Sequence, residues 1–356
     1  MNRTLRGSLT ATASALLALT ALGGTAQAAS LHVTFQATPS PCVQGTANGP
    51  FSLSLRDSSN HQIDHIDTVT PDGVSHLFDD CFPGNHVVKT GRRLVADNGS
   101  STPVSFTIPT LTMSVDRVTD VVSGKGPANK QVKIRLFRCS VFDGSCVHKS
   151  TKTTSVNGAG KYSRDTSSFF NIHGYDRAHV TYTNTAGHTY TLDQRAPWMS
   201  MELDTDGVLG DLNPGQTAKF RLRTAPGGTV LKTRTVTQGG EGFSFTFGAP
   251  LSPGREVSGD FASDARIKIP KSTLTIDPPV GGDQIIHVRC LPNRRMMVDL
   301  NPGVDIFVMA DDHGRATLNL STEVSDGFVL TDEEIIVQCT TAAGDLVSRR
   351  NPPVGP

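Results

Sequence analysis

Tryptophan occurs once in 356 residues, and beyond residue 28 no apolar run reaches the length a bilayer-spanning helix needs. Extended patterns of Ala, Leu, Glu and Lys at helical spacing are also missing after that point, which argues against an α-helical fold. No cysteine stands outside a possible pair, and no C-x-x-C spacing occurs among the six, so a thiolate zinc site is not expected. There is no G-x-S-x-G elbow and no phosphate-cradling glycine loop, which leaves catalysis without a local motif. Basic residues are not interleaved with an aromatic motif, so nucleic acid is not an expected partner.

What is present begins with a targeting pattern. Arg3 and Arg6 precede the short apolar stretch Ser14–Leu22, and Ala26-Gln27-Ala28 supplies the small residues of a cleavage site. This predicts a signal peptide over residues 1–28, removed before Ala29, and a secreted, extracellular product. No cysteine marks the cleavage point and Asn351–Pro356 shows no sorting signal, so no membrane anchor is expected.

The remainder is rich in Gly, Pro, Val, Thr and Ser, and short alternating runs recur between turn residues. Gln131-Val-Lys-Ile-Arg-Leu-Phe137, Ala178-His-Val-Thr-Tyr-Thr183 and Phe243-Ser-Phe-Thr-Phe247 alternate in the manner of strands with one face on a core and one in water. Asn157-Gly-Ala-Gly160 and Asp311-Asp-His-Gly314 supply turns. Strands at intervals of about 8–12 residues predict an all-β fold of tandem β-sandwiches. Proline-marked junctions at Pro109, Pro197 and Pro270 divide the chain into four units, over residues 29–110, 111–197, 198–273 and 274–356. Trp198, directly after one junction, reads as an interdomain packing residue.

The cysteines follow the same division. Six sulfurs allow fifteen connectivities, and pairing within units gives Cys42–Cys81, Cys139–Cys146 and Cys290–Cys339, with none in the third unit. The first is expected to join loops at one end of its sandwich, the second to close a hairpin, and the third to link two sheets. Chain-entropy arguments assign about 2.5 kcal/mol to the short loop and about 4 kcal/mol to each long one.

The second unit carries a family likeness. Val122-Ser-Gly-Lys-Gly-Pro-Ala-Asn129, followed by Val132-Lys-Ile134 and Val156-Asn-Gly-Ala-Gly-Lys-Tyr162, resembles the bacterial immunoglobulin-like domain found in tandem in secreted and surface proteins. The resemblance implies seven-stranded immunoglobulin-like sandwiches with a structural or binding role and seldom catalysis. Phe137-Arg-Cys-Ser-Val-Phe-Asp-Gly-Ser-Cys146 is similar to the disulfide-closed hairpin of the neocarzinostatin-type apoproteins, which implies carriage of a small molecule. This unit lacks that family's second cysteine pair.

Three further features bear on function. The second unit has 12 Lys/Arg against 6 Asp/Glu, and the fourth has 6 against 12, an asymmetry able to orient a charged neighbour. Phe142 and Asp143, on the loop held by Cys139 and Cys146, are the candidate ligand-binding residues. Asp204, Asp206 and Asp211 are the candidate calcium ligands, since clustered carboxylates with glycines between them can wrap a hard cation. His61 and His65 stand roughly 13 Å apart along a strand, too far to share one ion. Together these features predict a secreted, non-enzymatic adhesion or recognition protein that binds an extracellular protein or cell-wall polymer. A small-molecule carrier is the alternative, and an extracellular hydrolase the third reading.

Overall fold

The computed structural model describes residues 30–35, 42–84, 89–99, 102–239, 242–268, 274–277, 285–300, 304–319, 322 and 335–350. The signal-peptide segment, the Pro270 junction and Asn351–Pro356 lie outside the described residues. Among the described residues every element with a full range is a strand. The first unit holds β1 (Ser30–Phe35), β2 (Cys42–Thr46), β3 (Phe51–Arg56), β4 (Gln62–Val69), β5 (Leu77–Cys81), β6 (Arg93–Asp97) and β7 (Val104–Thr107). The second holds β8 (Ser114–Asp116), β9 (Val121–Lys125), β10 (Gln131–Cys139), β11 (Cys146–Ser155), β12 (Lys161–Asp165), β13 (Arg177–Thr183) and β14 (Thr189–Arg195). The third holds β15 (Trp198–Leu203), β16 (Gly207–Asp211), β17 (Thr217–Arg223), β18 (Val230–Thr237), β19 (Phe243–Thr246), β20 (Glu256–Gly259) and β21 (Arg266–Lys268). The fourth holds β22 (Thr275–Asp277), β23 (Ile285–Arg289), β24 (Arg295–Leu300), β25 (Val304–Met309), β26 (Arg315–Asn319), β27 (Ile335–Thr340) and β28 (Leu346–Arg350).

In each unit the first, second and fifth strands lie in one sheet and the third, fourth, sixth and seventh in the other. The chain is thus a tandem array of immunoglobulin-like β-sandwiches. The alternation that predicted the strands is the burial pattern. Val132, Ile134 and Leu136 of β10 point inward and are at most 2 % exposed, while Gln131 and Lys133 face water. Ala218, Phe220 and Leu222 do the same on β17.

Sheets do not stop at the unit boundaries. The first strand of the first unit, β1, pairs in parallel with the last strand of the second, β14, from His32↔Thr189 to Phe35↔Leu192. That contact fuses a seven-stranded sheet, in the order β11-β10-β13-β14-β1-β2-β5. The second half repeats it. Strand β15 pairs in parallel with β28, from Ser200↔Leu346 to Leu203↔Arg349, and the sheet runs β25-β24-β27-β28-β15-β16-β19. Two edges that would otherwise offer unpaired N–H and C=O groups are covered by each other. The cores follow the sheets: one buried apolar cluster runs from Val43 to Ala196 and a second from Met199 to Val347.

The halves meet around Arg117, on the turn after β8, whose side chain is 1 % exposed. Its Nη1 and Nη2 donate to both carboxylate oxygens of Asp345 at 2.9 and 2.8 Å, Nη1 also donates to the Pro197 carbonyl at 2.9 Å, and Nε reaches Asp264 at 3.0 Å. One guanidinium therefore joins the second unit, the linker, the third unit and the fourth. Burial works against its charge, but Asp345 and Asp264 outweigh that and raise its pKa further. Asp345 is presented by the β27–β28 turn: Thr341 Oγ1 accepts its N–H at 3.0 Å, and Gly344 takes φ +84° just before it. Its carboxylate also accepts the Met199 N–H at 2.9 Å. Gly174 donates its N–H to the Ala343 carbonyl at 2.7 Å, and a Cβ there would lie 2.5 Å from Arg117 Nη1. Trp198 packs edge-on against Tyr175 at 4.9 Å, and its indole N–H donates to Asp211 at 2.9 Å.

Breaking a buried ion pair by removing one partner strands the other charge and typically costs about 3–5 kcal/mol, whereas replacing both by apolar groups costs far less. Arg117→Ala should therefore lower stability by roughly 3–5 kcal/mol in denaturant unfolding. Arg117→Met combined with Asp345→Leu should lose much less. Equal losses in the two proteins would show that the stranded charge is not the cause.

Candidate functional site

The hairpin of β10 and β11 ends in the paired residues Cys139 and Cys146, whose sulfurs are bonded and whose Cα atoms are 4.1 Å apart. Its turn is tied by Ser140 N–H to the Ser145 carbonyl at 2.8 Å, with Gly144 at φ +69°. Asp143 accepts hydrogen bonds from the backbone and hydroxyl of Ser145 at 2.9 and 2.8 Å. Burial pulls its carboxyl up, but these bonds outweigh it and hold it below the usual range. Phe142, at the tip, leans toward the fourth unit. Its ring centre is 6.0 Å from that of Phe307, and the Arg295 guanidinium lies 5.8 Å from Phe142 and 4.5 Å from Phe307.

Between this hairpin and the fourth unit lies a groove of about 380 Å³. The second unit contributes Arg138, Phe142, Val147, His173 and Asp176; the fourth contributes Arg294, Arg295, Met309 and the 340–344 turn. Arg138 is fully engaged at the base. Its Nη2 donates to the Asn171 carbonyl at 2.6 Å, its Nε pairs with Asp176 at 3.3 Å, its Nη1 contacts His173 Nδ1, and it sits 4.9 Å over Phe170. Asp176 also accepts the N–H groups of Cys139 at 3.2 Å and His173 at 2.8 Å, fixing the hairpin base to the neighbouring loop. Burial raises the Asp176 carboxyl to about 6. Burial, with Arg138, Arg294 and Arg117 nearby, lowers the His173 imidazole to about 4. At neutral pH the groove therefore carries three arginines, one carboxylate and a neutral histidine.

The other sequence-predicted residues are placed as follows. Cys42 and Cys81 are bonded as directly opposed residues of β2 and β5, with Cα atoms 3.9 Å apart, so the bridge lies within one sheet and not between end loops. Cys290, just after β23, is bonded to Cys339 on β27, and those strands belong to different sheets. The three aspartates of the calcium reading are not brought together. Asp204 pairs with Arg349 at 2.6 Å, Asp206 accepts the Gly248 N–H at 3.0 Å, and Asp211 holds the Trp198 indole. Among the described residues the group whose ligand atoms do converge is Asp311, Asp312 and His313, an exposed turn. Its Asp311 carboxylate accepts the N–H groups of His313 and Arg315 at 2.8 and 2.7 Å. Arg294, Arg295 and Asp176 carried no sequence motif. Only the opposite charge of the second and fourth units hinted that these two units face each other.

No protein-family model matches the sequence, and no curated protein matches it. Among solved structures, a tetra-tandem repeat in the extending region of a large adhesion protein is 17 % identical, covering 91 % of this chain and 98 % of its own, with a TM-score of 0.19. The BSP domain of a biofilm associated protein is 9 % identical, covering 96 % and 99 %, with a TM-score of 0.17. A bacterial ice-binding adhesin is 11 % identical, covering 93 % and 99 %, also at 0.17. Scores this low carry no inference about what the chain does.

The two titrating groups of the groove act in opposite directions on stability. His173, lowered from 6.5 to about 4, is protonated more readily in the unfolded chain, so its contribution is full above pH 6.5 and lost as pH falls through about 4. Asp176, raised from 3.8 to about 6, contributes below pH 3.8 and loses that contribution as pH rises through about 6. Unfolding midpoints between pH 4 and 6 should therefore fall with rising pH in His173→Gln and rise in Asp176→Asn. Slopes of the same sign in both variants would contradict the assignment.

Proposed function

We propose that the chain is a secreted, non-enzymatic recognition protein that works in adhesion outside the cell, with sandwiches locked into a fixed arrangement and the hairpin groove as its binding face. The observation that carries this is the convergence at that groove. The disulfide-closed hairpin, the Arg138–Asp176–His173 base and two arginines of a distant unit form one concave, charged surface. The Arg117 junction sits behind it, so the walls do not depend on a flexible linker. Three disulfides suit an oxidising compartment, where such bridges persist. The partner in this reading is a cell-wall or matrix polymer, or an extracellular protein, bearing negative charge.

Carriage of a small molecule is the second reading, favoured by the size and position of the cavity beside Cys139–Cys146. A volume of about 380 Å³ falls within the range of small-molecule pockets.

Co-sedimentation of the mature chain with insoluble cell-wall and matrix polymer fractions tests the adhesion reading. At least about tenfold enrichment over an unrelated sandwich protein of matched charge is expected, weakening as salt rises from 50 to 500 mM because exposed charges are screened. Equal recovery with the control protein from every fraction would sink it.

A further inference from the structure

Two features of the groove are not used by the fold. Arg294 lines the cavity and its charge acts on the His173 imidazole, yet among the described residues its side chain makes no hydrogen bond or ion pair. Among the described residues the Arg295 side chain is held by the faces of Phe142 and Phe307 and by the attraction of Asp143. Arg138 is neutralised by Asp176, so Arg294 and Arg295 leave the rim with an excess of positive charge that Asp143 only partly offsets. Arginine forks of this kind match the paired oxygens of a carboxylate or a sulfonate.

The second feature is apolar. Val147 and Met309, both lining the groove, are 59 % and 60 % exposed, and Phe307, against Phe142, is 39 % exposed. Large side chains left this open in one place, beside a guanidinium with no hydrogen-bond partner among the described residues, form a surface that water covers poorly on one side and an anion completes on the other. A bare inorganic anion would leave Val147, Met309 and the aromatic rings wet. A neutral apolar ligand would leave Arg294 unpaired beside it.

We infer that the groove binds a small amphipathic organic anion, with its carboxylate or sulfonate on Arg294 and Arg295 and its apolar ring against Phe142, Val147 and Met309. This rests on the groove being the binding face and commits that face to one ligand class. Selectivity comes from needing both halves at once: the charge fixes orientation and the apolar wall supplies most of the buried area.

Fluorescence titration with anilinonaphthalenesulfonate, an aromatic sulfonate, tests it on the whole mature chain. The expected result is one saturable site. Arg294→Gln and Phe142→Ala should each weaken it about tenfold, with the unfolding midpoint of Arg294→Gln unchanged. Naphthoxyacetate should displace the dye, whereas inorganic sulfate and the neutral N-phenylnaphthylamine should require at least about tenfold higher concentrations. Undiminished dye binding in both variants would overturn the inference, as would displacement by the neutral amine as readily as by the carboxylate. Loss of dye binding from the native groove with polymer co-sedimentation intact would overturn it and leave the adhesion reading standing. The reverse pattern would retain the anion site and strike the adhesion reading.

Discussion

The guanidinium of Arg117 is the point on which the arrangement of the four sandwiches depends. It is out of water, with two hydrogen bonds to Asp345, one to the Pro197 carbonyl and one to Asp264, each on a different part of the chain. A buried charge tolerates little displacement of its partners, because every bond lengthened exposes an uncompensated charge to a medium of low dielectric. Apolar packing alone would hold the halves together while tolerating a range of angles. The ion pair narrows that range, and Gly174 and Gly344 permit it by letting two backbones approach where a Cβ would intrude. Gly174 and Gly344 also line the groove, which is thereby built onto the junction.

The two sheet fusions do comparable work within each half. A sandwich of seven strands has exposed edges, and evolution of a longer chain can cap them with charges, bulges or another strand. Here each half caps its first strand with its own last one, so the second unit completes the first and the fourth completes the third. That topology makes the repeat a pair of sandwiches, present twice, and it accounts for two continuous apolar cores in a chain of four sandwiches.

Local structure was legible because burial on one face imposes a period of two, as on β10 and β17. Turn chemistry was legible where Asn157 and Asp311 accept the N–H groups two and four residues on. At Asn157–Gly160 it is Gly160, at φ +72°, that takes the left-handed conformation. Parallel pairing of β1 with β14 was not legible, because an edge strand has the same sequence whichever edge it meets. The same holds for Phe142, whose exposed look on a hairpin tip conceals Phe307 and Arg295, far away in sequence. Asp204, Asp206 and Asp211 suggested a cation site by proximity along the chain. Once folded, each carboxylate serves its own neighbour, an arginine, a backbone N–H and an indole.

The parallel fusions also decide how each half meets a pulling force. Chain entry and exit lie on adjacent strands that run in the same direction, β1 with β14 and β15 with β28. Tension applied through the ends of a half drags one strand lengthwise past the other. The ladder is then loaded in shear, with all its hydrogen bonds strained together, and cannot be unzipped one bond at a time. Each half therefore meets load, where it would enter, with a ladder that resists as a unit.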